Sequence, residues 1–270
     1  KPERVVILSA SLLDLYYAVG GKAVGRPESK TLALSPEAQA LPIVGTVGNV
    51  NLEALIALQP DLVIGGLQGA GEQLIPAMES SRIPYLLLRM KTYEDVRQKM
   101  KLFGDIAGTG QKAAERMADL DGRIRATLQQ LPASPKKVAI LHATAKTVTV
   151  ELENTIAGNV ARMLRLNNIA AGSRAFDGNP DMTPYSMEKL IEADPDLVLI
   201  TLMGNQESIE RRLRADVESN PAWANLRAVK NKQVFFLPTD LYLLNPGIRY
   251  DETVLHMARI VYPEVFKHGK

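Results

Sequence analysis

The sequence predicts an α/β protein of two lobes with mostly parallel sheets, joined by one long helix. Three observations carry that expectation. Short buried strands alternate with helices along the whole chain, the pattern of parallel sheets covered on both faces. A single stretch near the middle, Thr109 to Leu131, keeps helical spacing for about six turns. A helix–Pro-Asp–strand passage from the first half returns in the second. The expected boundaries are 1–108 for the first lobe, 109–131 for the linking helix and 132–270 for the second lobe.

Arg4 to Leu8 (RVVIL) reads as a buried strand, and Ser11 as the cap of a helix Leu12 to Val19 that Gly20-Gly21 stops. Lys22 to Gly25 reads as a brief strand. A polar excursion then runs from Arg26-Pro27 through Gln39. Asn51 opens the helix NLEALIAL, which ends before Pro60, and Asp61 to Ile64 is a strand. The glycines 65, 66, 69 and 71 form a loop into a helix Glu72 to Ser80. Pro84 to Leu88 is the next strand, with Arg89 at its end. Thr92 caps a helix to Ala107, with Asp95 three residues on. Thr109 is placed to cap the long helix, where Ala113, Met117, Leu120, Ile124, Leu128 and Leu131 form one apolar stripe. Spacing alone allows this helix to be a rigid spine between lobes or a crossover inside one domain.

Beyond it, Lys136 to His142 and Thr147 to Glu151 read as strands, the second with alternating β-branched residues. Thr155 to Leu164 is a helix and Ala170 to Pro184 a long polar loop. Ser186 caps MEKLIEA, and Asp196 to Thr201 follows as a strand. Ser208 to Val217 is helical, Gln233 to Leu237 is the last strand, and Asp251 to Val261 the last helix.

The 270 residues carry 32 Lys plus Arg against 30 Asp plus Glu, a net charge of +2. That near balance offers no electrostatic case for nucleic acid or an anionic membrane. No apolar run approaches the ~20 residues that span a bilayer. Cysteine is absent, so disulfides, thiolate metal sites and cysteine nucleophiles are excluded. The chain begins at Lys1, which suits a processed N-terminus.

The internal match has a fixed offset of 135 residues. NLEALIALQPDLVIG (Asn51 to Gly65) lies over SMEKLIEADPDLVLI (Ser186 to Ile200). Two similar lobes make a cleft, and ligands favour such junctions and the carboxyl ends of parallel strands. The same offset pairs Glu72 with Glu207, each after a loop that follows its copy. A carboxylate opening a helix is favoured by the helix dipole, so each stabilises its own helix; together they suit two basic sites on a symmetric partner.

No catalytic set is present: no G-x-S-x-G, H-E-x-x-H or G-x-x-x-x-G-K-[ST]. GGLQGAG has the wrong glycine spacing for a dinucleotide fingerprint, and Arg89, not an acid, ends the next strand. Of the histidines, His142 ends a strand, His256 lies in the last helix and His268 in the tail. The candidate ligand contacts are therefore Arg26, Arg89 and Arg249, whose guanidinium groups hold carboxylate or catecholate oxygens, with Tyr185 and Tyr242 as aromatic walls. No metal ligand set and no cofactor is expected. A small α/β enzyme acting on a nucleotide or sugar is the rival reading, though no titratable pair can be named for it.

Several stretches together resemble a known family. They are RVVILSASLLDLYYAVG, VGTVGNVNLEALIALQPDLVIG, the long helix, YSMEKLIEADPDLVLI and LPTDLYLLNPGIRYDETVLHMARIVYPE. The family is the substrate-binding proteins of ABC importers for iron-siderophore, haem and cobalamin, and the resemblance covers nearly the whole chain. It implies two Rossmann-like lobes on one rigid helix, with little closure on binding. It also implies a monomeric, non-enzymatic carrier, periplasmic or lipid-anchored at the cell surface. Such a carrier holds a metal chelate and docks one glutamate per lobe, here Glu72 and Glu207, onto an ABC permease dimer. Haem-binding relatives place a tyrosine just after the Val-Gly before the N-x-E helix; here the residues are Val44-Gly45-Thr46. The single Trp223 sits far from the expected cleft. The implied ligand order is ferric siderophore, then haem, then corrinoid.

Overall fold

The computed structural model describes residues 1–29, 32–67, 74–219 and 221–266. The chain forms two compact units. The first holds Lys1–Gly122 with Pro246–Ile248, and the second Arg123–Asn245 with Arg249–Lys270.

The first unit is built on β1 (Val5–Ile7), α1 (Ala10–Ala18), α2 (Pro36–Gln39), the hairpin β2 (Gly45–Thr46) and β3 (Asn49–Val50), α3 (Leu52–Ala57), β4 (Leu62–Gly66), α4 (Ile75–Ser80), β5 (Tyr85–Leu88) and α5 (Tyr93–Ala107). Its main sheet has the order β1-β4-β5, all parallel. The expected strand at Lys22 to Gly25 is only an isolated bridge between Val6 and Gly25. The cap of α1 is Ser9, not Ser11; its side chain accepts from the Leu12 N–H. Thr92 and Asp95 form the expected reciprocal capping box on α5. Gly108, at φ +69°, closes α5 in the left-handed conformation that glycine adopts without strain.

The long helix α6 (Gly110–Leu128) follows at once, and the division between the units falls inside it. Ala113, Leu120 and Ile124 of the apolar stripe are buried. Thr109 does not cap it through its hydroxyl, which is buried without a partner among the described residues.

The second unit contains β6 (Lys137–Thr144), β7 (Val148–Glu151), α7 (Ile156–Met163), β8 (Asn167–Asn168), β9 (Met182–Pro184), α8 (Met187–Ala193), β10 (Leu197–Met203), α9 (Gln206–Ser219), α10 (Pro221–Asn225), α11 (Arg227–Lys230), β11 (Val234–Phe236), α12 (Thr239–Tyr242) and α13 (Tyr250–Val261). Its sheet runs β11-β10-β6-β7-β9, with β8 also on β6. β6, β10 and β11 are parallel, whereas β7 returns antiparallel from β6 and pairs antiparallel with β9. The polar stretch Ala170 to Pro184 therefore ends in a strand, not in loop alone. One face of this sheet carries Ala139, Leu141, Ala143, Val198, Ile200 and Leu202 into a core completed by Leu190, Ile209 and Trp223. Fully burying one such side chain contributes about 1.5–3 kcal/mol.

The repeated passage folds alike in the two units, down to its hydrogen bonds. Asn51 caps α3 by accepting from Ala54 N–H at 3.0 Å, and Ser186 caps α8 by accepting from Lys189 N–H at 3.3 Å. Leu55 and Leu190 are the buried residues of those helices. Gln59 and Asp194 both take positive φ, +46° and +39°, just before the proline. The aspartate after each proline then fastens the neighbouring strand. Asp61 accepts from Arg4 N–H at 2.9 Å, and Asp196 accepts from Lys137 N–H at 2.8 Å. The basic side chain of that strand reaches back to the helix end: Arg4 Nη2 donates to Leu58 O and Lys137 Nζ to Ala193 O, each at 2.7 Å. The basic side chain thus satisfies a helix carbonyl that has no partner inside the helix, while the aspartate fixes the register of the first strand pair.

Candidate functional site

In parallel sheets the carboxyl ends of the strands deliver side chains to ligands. In the first unit, β5 runs out into Arg89. Its Nη1 lies 3.5 Å from Asp95 Oδ2, and its side chain remains 30% exposed. Asp95 also accepts from the N–H groups of Lys91 and Thr92, at 3.0 and 2.9 Å. Burial pushes its carboxyl up, but those backbone donors outweigh burial and hold it below the ordinary carboxylate range. An ionised aspartate at a helix start therefore orients Arg89.

Arg26 is engaged differently. Its Nε and Nη2 donate to Gln39 O at 3.2 and 3.0 Å, and its Nη1 to Pro27 O at 3.1 Å. These bonds clamp the excursion around α2, so the guanidinium acts within its own loop. Leu67, just past β4, is 41% exposed. Glu72 lies outside the described residues.

In the second unit, Arg249 opens α13. Its Nε donates to Glu252 Oε2 at 2.9 Å, and its Nη2 lies 2.8 Å from the same oxygen and 3.6 Å from Asp240. The hydrogen bond it donates to Glu252 chiefly raises its already high pKa, with Asp240 adding to the effect. Tyr242 is a core residue, 4% exposed. Its hydroxyl donates to Thr253 O at 2.9 Å and meets His256 Nδ1 at 3.0 Å, and burial pushes its pKa well up. No phenol oxygen is left there for a ligand. Tyr185 is half-buried, with burial raising its pKa. It lines an apolar cavity of about 540 Å³ in this unit. Met203, the last residue of β10, is 53% exposed. Glu207 stands exposed in the first turn of α9, where Asn205 Oδ1 accepts from Ser208 N–H at 2.9 Å. The helix dipole favours its carboxylate there.

One cluster was not legible in the sequence. His142 Nδ1 lies 2.9 Å from Thr201 Oγ1 and 3.5 Å from Glu151 Oε1, and Thr201 Oγ1 donates to Glu151 Oε1. Thr201 Oγ1 also lies 3.4 Å from Leu141 O. Glu151 is 3% exposed and its Oε2 has no partner among the described residues. The pairing of β6 with both β7 and β10 puts the three side chains on one face of the sheet. That face lies opposite the main core of the sheet. Exposed Leu67 and Met203 were also missed. Their signal was a large apolar residue at the end of each PDLV strand.

Among the described residues no three His, Asp or Glu side chains gather so as to hold a metal ion, and no helix is long and apolar enough to cross a membrane.

Comparison with known proteins gives concordant results. A family profile described as periplasmic binding protein matches residues 5–241. The Fe(3+)-citrate-binding protein YfmC of Bacillus subtilis is 24% identical over 263 residues, covering 93% of this chain and 78% of that protein. The Fe(3+) dicitrate-binding periplasmic protein FecB of Escherichia coli is 26% identical over 252 residues, with coverage of 92% and 80%. Among solved structures, S. aureus IsdE complexed with heme superposes with a TM-score of 0.82 at 18% identity, covering 96% of this chain and 98% of that one.

Proposed function

Because the chain belongs to the periplasmic binding protein family, we propose that it captures an iron chelate outside the cytoplasm and delivers it to an ABC permease. The profile match over residues 5–241 carries the reading. It is supported by the helix, Pro-Asp turn and strand repeated in the two units, each unit with parallel strands whose carboxyl ends can present side chains to a ligand. The chemistry is binding, not catalysis: a carrier needs a preformed surface and a few placed polar groups.

A ferric hydroxycarboxylate or siderophore ranks first. The YfmC and FecB relatives are named for ferric citrate. Arg89 and Arg249 stand on aspartate and glutamate partners that keep them oriented, as planar recognition of chelate oxygens requires. Iron inside such a complex already has its ligands, so the protein need add none. Haem ranks second, since Thr46 stands where a tyrosine is expected in haem carriers, and corrinoid third. On this reading Glu72 and Glu207 are the contacts with the permease, and the carrier acts as a monomer, periplasmic or lipid-anchored.

Titration of the purified chain with ferric dicitrate, a ferric catecholate, haemin and cyanocobalamin tests this, with the emission of the single tryptophan as readout. One iron complex is expected to bind one to one with Kd near or below about 1 μM, the equivalent of about 8 kcal/mol. Saturation by cyanocobalamin alone would reverse the ranking. No binding of any iron complex would end the proposal.

A further inference from the structure

The cavity beside Tyr185 lies wholly within the second unit; of the candidate chelate contacts Tyr185 alone is on its lining, and neither Arg89 nor Arg249 is. Its floor is the sheet face that carries Leu141, Ile200, Val234 and Phe236. Leu213 of α9 and Trp223 of α10 face that floor. At about 540 Å³ it is the size of a small-molecule site. A packed core leaves few spaces larger than a water molecule, and this one opens to solvent where Arg214 and Lys232 stand exposed.

The charged side chains on its lining are two cations. The Arg214 guanidinium lies 5.8 Å over the Phe236 ring, and no described carboxylate is paired with it. Lys232 is exposed at the turn before β11, with φ at +55°. Among the described residues no aspartate or glutamate lines the cavity. An apolar body therefore fits the interior and a negative head fits the wall, where Arg214 is held against an aromatic face. A neutral ligand would leave the cations unused, and a multiply charged one would be excluded by the apolar floor.

We propose that this cavity is a second binding site, for a small amphiphilic anion of the alkyl carboxylate class. Val234 and Phe236 belong to the edge strand β11 and are only half-buried, so the tail enters along that edge. Trp223 is the only tryptophan of the chain and forms part of the wall, so a bound tail changes its emission directly.

Decanoate is the probe, titrated into the full chain without iron chelate. Saturable change of the Trp223 emission at one decanoate per chain is expected. Decanol should bind at least about tenfold more weakly, and Arg214→Glu should weaken decanoate by about tenfold or more, equivalent to about 1.4 kcal/mol. Ile200→Phe fills the floor and should abolish the change. If that variant fails to fold, Arg214→Gln, at an exposed position, replaces it and should weaken binding severalfold. No saturable change up to millimolar decanoate, several molecules bound per chain, or equal affinity for decanol and for Arg214→Glu would each overturn the proposal.

Discussion

The two units share one junction and differ in what surrounds it. In both, a capped helix ends on a left-handed residue, a proline turns the chain, and an aspartate fastens the next strand to its neighbour. Around that junction the first unit keeps a three-stranded parallel sheet, while the second adds the antiparallel strands β7 and β9 and the apolar cavity beside Tyr185. The shared part is where backbone groups at a chain reversal must all find partners. Where no such demand exists the units have diverged, and the second has gained its buried His142–Glu151–Thr201 cluster.

The largest expected effect concerns what the units do together. Replacing Glu72 and Glu207 with alanine should cut permease-coupled uptake by at least about tenfold while chelate affinity stays unchanged. The basis is that charged contacts with a partner contribute about 2–5 kcal/mol when one side is removed. Unchanged uptake in the double variant would remove the docking reading. The next effect is on stability. Leu55→Ala and Leu190→Ala delete equivalent buried side chains and should each cost about 2–5 kcal/mol in urea unfolding. A difference between them beyond that range would mean that the two helices pack on cores of different rigidity.

A smaller effect concerns the two aspartates. Burial acts to raise the Asp61 carboxyl, but the N–H groups of Glu3 and Arg4 outweigh it and leave the pKa lowered. Its folded pKa lies below its unfolded one, so the stabilisation is present above about pH 4 and is lost as pH falls through the folded value. Asp61→Asn should flatten that part of the stability–pH curve and cost about 1 kcal/mol at neutral pH, discounted for solvent exposure. Asp196→Asn keeps one acceptor oxygen for the Lys137 N–H and loses the charged contact with Arg227 at 3.2 Å, so its cost should be of the same order. The smallest effect is at the left-handed residues. Gln59→Gly should stabilise by up to about 1 kcal/mol, because glycine takes positive φ freely. Asp194→Gly should not, because Asp194 also accepts from Arg227 N–H and Nε, at 2.9 and 3.1 Å. Equal gains from both would show that those bonds contribute nothing.

The shared junction was legible because everything it needs is local: a capping residue, one apolar face, then proline and aspartate in order. The rest failed where partners lie far off in sequence. Nothing near Thr109 shows that its hydroxyl is buried without a partner while Gly108 closes the helix before it. β9 ends in a proline and follows a polar stretch; its strand character comes from pairing with β7. Tyr242 reads as an aromatic wall until α13 folds over it and takes its hydroxyl. Arg26 looked available because its acceptors are carbonyls, which carry no side-chain signal. The fold was thus readable through patterning, while side-chain engagement at the candidate site needed coordinates.

The return of Pro246–Ile248 to the first unit bears on biosynthesis. A ribosome that has made the first 245 residues has not yet supplied every piece of the amino-terminal half. Gly247, at φ +56° and buried, is among those missing pieces. A fragment cut at the long helix therefore lacks three residues that belong to the first unit.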